Sequence, residues 1–180
     1  GFDKMGAEDQ ARALLTILDT EQDNLYDKAA VVGVTNGVLE TVGNLAEAAR
    51  VAPADVLNDL ADNTETFAKF SADGGENLAR AAIEARKLGL NLSTVDKIAE
   101  SLLDFESSIE KQLEAQVLLG RSLNLDRARE LSLAGDLEGL QKEIVNQVGN
   151  AEEFNRLNVV QRKALADAIG VEVSELSKLV

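Results

Sequence analysis

Apolar residues recur along this chain with the spacing of α-helices. The longest run lies between Ser93 and about Leu119, where apolar positions follow one another at intervals of three or four residues. That spacing places them on one side of a helix, so the run predicts a single long amphipathic helix with a capping box, "STVD", at its start. The residues predicted to form its buried face are Ile98, Leu102, Phe105, Ile109, Leu113 and Val117.

A second stripe, close to a heptad repeat, lies in the first third of the chain. It predicts an extended or coiled-coil-like helical arm over residues 1–50. A single helix cannot bury such a stripe, so we expect the arm to self-associate. The stripe consists of Val31, Val34, Val38, Val42, Leu45 and Ala49.

Residues 51–120 are predicted to form the middle helical region. Pro53 suits the first turn of a helix, with Asp55 and Asp59 expected near the positive end of the helix dipole. This helix should continue to Gly74 and Gly75, and the next one should end at Gly89. The residues predicted on the buried side of the first helix are Val56, Leu57, Leu60, Phe67 and Phe70.

After Gly120, start and stop signals occur about every ten residues. They predict that residues 121–180 form a compact array of short capped helices, which must pack together because short helices are unstable alone. The predicted N-caps are Asn124, Asp136, Asn150 with Glu153, Asn158 and Ser174, and the predicted terminating glycines are Gly135, Gly149 and Gly170. The fold class is therefore predicted to be all-α.

One pattern of helix end, link and new helix recurs. "ARKLGLNLSTVDKI" and "LADAIGVEVSELSKL" share a helix end, a glycine, an apolar–polar–apolar link and a serine. "ARVAPADVLNDL" is a looser third copy with Pro53 in place of the glycine. The distances between copies are unequal, which indicates a recurring helix–turn–helix link and not a solenoid repeat.

Composition agrees with a helical protein and narrows its partners. Of 180 residues, 45% are hydrophobic and only 3% aromatic, so Leu, Ile, Val and Ala must build the core. The net charge of −14 disfavours binding to nucleic acid or to anionic membranes. No apolar run reaches the roughly 20 residues that a membrane-spanning helix requires. The chain starts at Gly1 and stops within an apolar pattern, so we expect a piece of a longer polypeptide.

Four carboxylates in the predicted long helix are the first candidates for chemistry. Asp104, Glu106, Glu110 and Glu114 lie within eleven residues, and the three glutamates were expected on the solvated side, away from the apolar stripe. The chain has no His or Cys, which excludes Ser-His-Asp and Cys-His catalysis and the familiar zinc sites within it. A carboxylate-only cation site and a two-carboxylate glycosidase stay open, but we predict no catalytic, cofactor-binding or metal-binding residue.

Two further motifs have simpler interpretations than ligand binding. "DGGEN" lacks the lysine of a phosphate-binding loop and is predicted to be a turn before a helix. Arg121, Arg127 and Arg129 are predicted to form ion pairs within the chain and not a nucleic-acid patch, because so acidic a surface repels phosphates.

The segment "LLDFESSIEKQLEAQVLLGRSLNLDRARELSLAGDLEGLQKEIVNQVG" resembles tail tape measure proteins of tailed bacteriophages. The likeness extends upstream through "GGENLARAAIEARKLGLNLSTVDKIAESLL" and covers about Val51 to Val180. It has no chemical motif and consists of an ordered string of identities. Its positions are 103–109, 113–115, 119–121, 123–125, 128–129, 135–136, 147–149, 154–155, 164–166 and 170.

The resemblance implies a structural virion protein in the lumen or at the tip of a phage tail. Such a protein sets the length of the tail tube and is released with DNA ejection. Tube proteins, hub or baseplate proteins and further copies of itself, most often three, are its implied partners. The compact region after Gly120 suits a terminal plug or docking domain better than a bare ruler. The alternatives are a non-catalytic helical adaptor module of a larger scaffold or surface protein and, third, an enzyme.

Overall fold

The computed structural model describes residues 36–70 and 75–180, and within them every regular element is a helix. The predicted all-α class is confirmed for these residues. Contacts divide the chain into two compact units, Gly1–Ser93 and Thr94–Val180. The three regions that the sequence suggests, with boundaries near residues 50 and 120, stay a prediction.

The first unit is built on three helices that contact one another pairwise: α1 (Asn36–Ala48), α2 (Pro53–Asp62) and α4 (Glu76–Lys87). A short helix, α3 (Thr64–Phe70), follows α2, and α5 (Leu92–Leu103) begins at the end of the unit. Pro53 occupies the first turn of α2, as predicted. The fully buried core side chains include Val42, Ala46, Val56, Leu60, Leu78 and Ala82.

Two predictions for this unit need correction. The helix that starts at Pro53 ends at Asp62 and not near Gly74, because Asn63 leaves the helical conformation with its side-chain amide donating to the carbonyl of Asp59 at 2.7 Å. Phe70, predicted to be buried, is only half-buried.

The near-heptad stripe is only partly within the described residues. Val31 and Val34 lie outside them. Val42 is fully buried, and α1, which carries it, packs on α2 and α4 of the same chain. Self-association through the rest of the stripe stays a prediction.

The second unit contains most of α5 and six further helices. These are α6 (Phe105–Leu119), α7 (Asp126–Ala134), α8 (Leu137–Val148), α9 (Ala151–Arg156), α10 (Val159–Ile169) and α11 (Val173–Leu176). The largest packing contact joins α10 to α6. Near its start, α10 donates a hydrogen bond from Gln161 to the carbonyl of Leu118, at the end of α6. Its last turn approaches Ser101, just before α6 begins, so α10 runs antiparallel to α6.

Most helix ends in this unit are set by the predicted residues. The side chains of Asp136, Asn150 and Asn158 each accept the N–H three residues later at 2.8–2.9 Å. Reciprocal bonds from Asn150 to Glu153 and from Asn158 to Gln161 complete two capping boxes. Gly135, Gly149 and Gly170 follow their helices, as predicted.

Three predicted helix starts are shifted by one or two residues. Asn124 accepts the N–H of Asp126 at 2.9 Å but lies before the helix cap, which is Leu125. The helix predicted to start at Ser93 begins at Leu92. The helix predicted to start at Ser174 begins at Val173, with Glu172 as its cap. The sequence signals therefore locate each start only to within one or two residues.

The recurring link is a structural unit that closes the preceding helix in the same way in all three copies. Arg50, Gly89 and Gly170 have positive φ angles of 58°, 74° and 95°. The next residue donates its N–H to the carbonyl of an alanine five positions earlier, which is a Schellman closure. These bonds join Val51 to Ala46, Leu90 to Ala85 and Val171 to Ala166 at 2.8–3.1 Å. In the looser copy, Arg50 and not Pro53 therefore takes the place of the glycine.

The glycine of the last copy is also required by close packing. A Cβ added to Gly170 would lie 2.4 Å from Cβ of Ser101, whereas a Cβ on Gly120, which ends α6, would meet nothing within 4 Å. Both glycines have positive φ, at 95° and 67°. The two positions therefore share backbone strain but differ in available space.

We expect Gly170→Ala to destabilise the protein more than Gly120→Ala. The alanine at 120 should cost about 1 kcal/mol for its left-handed backbone. The alanine at 170 should cost about 1–3 kcal/mol more, because it also overlaps Ser101. Urea unfolding of both variants measures the difference, and equal losses would contradict the close packing.

Asp59 has a different role from the one predicted. It lies in the second half of α2, is buried, and accepts the N–H of Leu92 at 3.0 Å through Oδ2. Its carboxylate thus binds one of the unpaired N–H groups at the start of α5, 33 residues away in sequence. Burial raises the pKa of Asp59, and the hydrogen bond from Leu92 and the nearby Arg86 guanidinium only partly oppose this. Its Oδ2 lies 3.6 Å from Nε of Arg86.

We expect Asp59→Asn to lose stability relative to the wild type as the pH falls. The amide can still accept the N–H of Leu92 but cannot titrate. A carboxyl whose pKa is raised by folding binds its proton more tightly in the native state, so acidification from neutral towards the ordinary pKa favours the native wild type. Urea unfolding of both proteins between about pH 7 and pH 4 tests this. A difference in the free energy of unfolding that does not change with pH would contradict the prediction.

Candidate interaction surface

The predicted long helix is two helices, α5 and α6, separated at Asp104. The residue has a φ of −80° and a ψ of 79°, which is outside the helical region. No glycine or proline marks the break. The three- and four-residue spacing of apolar residues also continues across Asp104, so the sequence contains no signal for it. The prediction of one continuous helix from Ser93 to Leu119 is therefore wrong.

The predicted buried face is correct for α5 and wrong for α6. Ile98 and Leu102 are buried. The continuation of the same stripe on α6 is exposed to solvent. The exposed fractions are 45% for Phe105, 47% for Ile109, 55% for Leu113 and 82% for Val117.

The inward face of α6 is made of small and polar residues. Ser108 and Ala115 have no exposed surface, and Gln112 and Gln116, on the same side of the helix, are half-buried. These positions recur at three- and four-residue intervals, so they form a second stripe beside the apolar one. A stripe of Ser, Ala and Gln was a sequence signal for close packing that the apolar pattern obscured.

The buried guanidinium of Arg129 holds α7 against this polar face. Its Nε donates to Oγ of Ser108 at 3.1 Å, and a terminal nitrogen donates to Oε1 of Gln112 at 2.7 Å. The other terminal nitrogen donates to Asp126 at 2.9 Å. Every nitrogen of the guanidinium is therefore hydrogen-bonded, which makes the burial of its charge tolerable.

The loop between α6 and α7 is held by glutamine side chains. Oε1 of Gln116 accepts the N–H of Leu123 at 3.1 Å, and Oε1 of Gln112 accepts the N–H of Leu125 at 3.3 Å. From α8, Gln147 accepts the N–H of Asn124 at 3.2 Å. Leu123 and Leu125 are fully buried, so their backbone N–H groups need such partners.

These contacts explain why the apolar stripe faces outwards. If α6 turned its apolar side inwards, the Arg129 guanidinium and two loop N–H groups would lose their acceptors. A buried donor without a partner costs about 1–3 kcal/mol, and more for a charged group. That penalty opposes the gain from burying the apolar stripe, which per side chain is less than the roughly 1.5–3 kcal/mol of a fully buried one because Phe105, Ile109 and Leu113 are already about half buried.

The three glutamates of α6 lie beside the apolar stripe and not opposite to it. Glu106, Glu110 and Glu114 each follow an apolar residue by one position, which is about 100° around a helix. All three are exposed. We call these two neighbouring stripes, Phe105–Val117 and Glu106–Glu114, the α6 surface.

The arginines have the intramolecular contacts that were predicted, with one exception. Arg127 pairs with Glu130 at 3.1 Å, and Arg129 pairs with Asp126 at 2.9 Å. Arg121 instead donates to the carbonyls of Gln147 and Val148 at 3.1 and 3.3 Å. These carbonyls end α8, where a cation is favoured by the helix dipole.

Other candidate sites are limited in the part of the chain that the structure describes. It contains no group of three or more acidic side chains arranged to hold a metal ion. In "DGGEN", Gly75 has a φ of 96° and directly precedes α4, while Asp73 and Gly74 lie outside the described residues. Among residues 36–70 and 75–180, no helix has both the length and the apolar character needed to cross a membrane.

Comparison with known proteins gives no relative from which to assign a role. No protein-family model, curated protein or solved structure matches this chain. The properties of the α6 surface must therefore be argued from its residues.

We expect Arg129→Ala to destabilise the second unit by about 2–4 kcal/mol, because it removes the donor to the buried Ser108 hydroxyl, one of the two donors to Gln112, and the packing of the arginine side chain. The matched control is Arg127→Ala, two residues earlier on the same helix. Its ion pair with Glu130 is largely exposed and should contribute less than about 1 kcal/mol. Urea unfolding of both variants provides the comparison. Similar losses would show that the buried network does not orient α6.

Proposed function

We propose that this chain is a non-catalytic helical domain of a phage tail tape measure protein. In this role it occupies the lumen or the tip of the tail and leaves the virion when DNA is ejected. The specific identity rests on the resemblance carried by residues 103–170. The general role, assembly with other proteins, is supported by the α6 surface.

The α6 surface is the observation that carries the proposed assembly role. Five large apolar side chains are exposed on α6, the four of the stripe and Leu118, whereas exposed apolar residues scattered singly are normal on a protein surface. The helix under them is fixed by the Arg129 network and by antiparallel packing on α10. A rigid apolar surface of this kind suits docking to another protein.

The shortness of the described helices favours a docking domain over the ruler itself. A ruler gains length efficiently when its helices are extended, at about 1.5 Å per residue. Here the longest described helix has 15 residues, and α6, α7, α8 and α10 fold against one another in pairs. We therefore assign the described region to a terminal domain that contacts tail-tip proteins.

The second candidate is a helical adaptor module of a larger scaffold or surface protein. The α6 surface favours it equally, since an adaptor also needs a rigid face for a partner. The acidic composition is compatible with both. The two candidates differ in where the chain is found: in a phage tail, or in a larger scaffold or surface protein.

Deleting residues 94–180 from the parent protein tests the proposed role in the virus that encodes it. A docking domain should be needed for tail assembly, so tails should be missing or rare by electron microscopy. A ruler segment would instead leave normal numbers of tails, shortened by up to about 130 Å for an extended helix of this length. Mass spectrometry should also detect peptides of this chain in purified particles. Complete tails of normal length, without those peptides, would favour the adaptor.

A further inference from the structure

We infer that the α6 surface binds a basic amphipathic helix of another protein. The inference deepens the proposed function, since it gives the chemistry of the partner that a docking domain would take. It depends on the geometry of α6 and does not require that the partner be a tail protein.

The shape of the surface fits one helix lying along α6. Its apolar residues recur every four positions from Phe105 to Val117, over about 18 Å of helix. This is the length of about three helical turns, comparable to the anchors of a helix that binds in an apolar groove. The stripe has large side chains throughout, from Phe105 through Ile109 and Leu113.

The glutamates beside the apolar stripe favour a partner of opposite charge. The apolar stripe is flanked along its length by exposed Glu106, Glu110 and Glu114. A helix packed on the stripe would bring its own flanking residues close to these carboxylates. Lys or Arg there would form ion pairs across the interface, while Asp or Glu would be repelled.

The same argument disfavours the two occupants that this chain could itself provide. A second copy would bring another glutamate stripe and a net charge of −14 to the surface. Residues 1–35 contain seven acidic and three basic residues, so that segment is acidic as well. A basic partner helix, with apolar residues on one face and Lys or Arg beside them, complements both stripes.

The test uses the full chain and synthetic helical peptides of about three heptads. One peptide carries Leu at the a and d positions and Lys at the flanking positions. A control peptide keeps every Leu and carries Glu in place of Lys. We expect the Lys peptide to bind by fluorescence anisotropy or calorimetry, with an affinity that falls as salt is raised, and the Glu peptide not to bind.

Two single variants test whether the Lys peptide binds at the α6 surface. Leu113→Gln should weaken binding of the Lys peptide by about tenfold or more, because it removes a large apolar contact. Leu133→Gln is the matched control, since Leu133 is 71% exposed on the neighbouring α7, and it should have no effect. Circular dichroism confirms that both variants stay folded.

A charge-matched pair of triple variants separates local from overall electrostatics. Changing Glu106, Glu110 and Glu114 to Gln should weaken binding and flatten its dependence on salt. The control changes three exposed glutamates outside the α6 surface to Gln, so both triple variants have the same net charge. It should bind like the wild type. The control positions are Glu40, Glu65 and Glu130.

Failure of the Lys peptide to bind would overturn the inference, and so would any of three results with the variants. The two triple variants could weaken binding equally, which would indicate unspecific attraction to an acidic protein. Leu113→Gln could leave binding unchanged. Analytical ultracentrifugation could show self-association that Leu113→Gln abolishes, which would make a second copy the occupant.

Failure of this inference is distinguishable from failure of the proposed function. If the peptides do not bind but the chain is found in phage tails, only the partner chemistry is wrong. If the peptides bind as expected and the chain is missing from virions, the inference about the α6 surface is supported and the proposed virion role is wrong.

Discussion

The hydrogen bonds of the Arg129 guanidinium determine how α6 is oriented in its unit. Because this charge is buried, its nitrogens need acceptors, and Ser108 and Gln112 of α6 supply them. Gln112 and Gln116 also accept two N–H groups of the loop that leads to α7. A polar helix face is thereby fixed inwards, and the apolar stripe of the same helix is left at the surface.

The proposed binding role follows from this orientation of α6. A surface helix ordinarily turns its apolar side to the core, so exposed Phe105, Ile109 and Leu113 would be a liability unless another protein covers them. The neighbouring glutamates specify the charge that such a protein should carry. The stability of the unit and its proposed binding role therefore depend on the same set of polar contacts.

The candidate surface was only half predictable. Its residues were identified from their periodicity, and the exposure of the glutamates was expected. The exposure of the apolar stripe was not, because periodicity identifies two faces of a helix but does not say which one has partners. The stripe of Ser, Ala and Gln was the local signal of the inward face, but its main partner, the buried Arg129, lies on another helix and no local pattern indicates its burial.

What the sequence alone determined is local. The helical class, and the caps at Asp136, Asn150 and Asn158, follow from side chains acting within a few residues of their own backbone, and the positive φ of Gly170 ends α10 locally. Only the tertiary structure decided the inward face of α6 and the binding of the Leu92 N–H by Asp59. Each of these joins groups on different helices, 17 to 33 residues apart. Their energy depends on desolvation and on partners that exist only once the helices have packed.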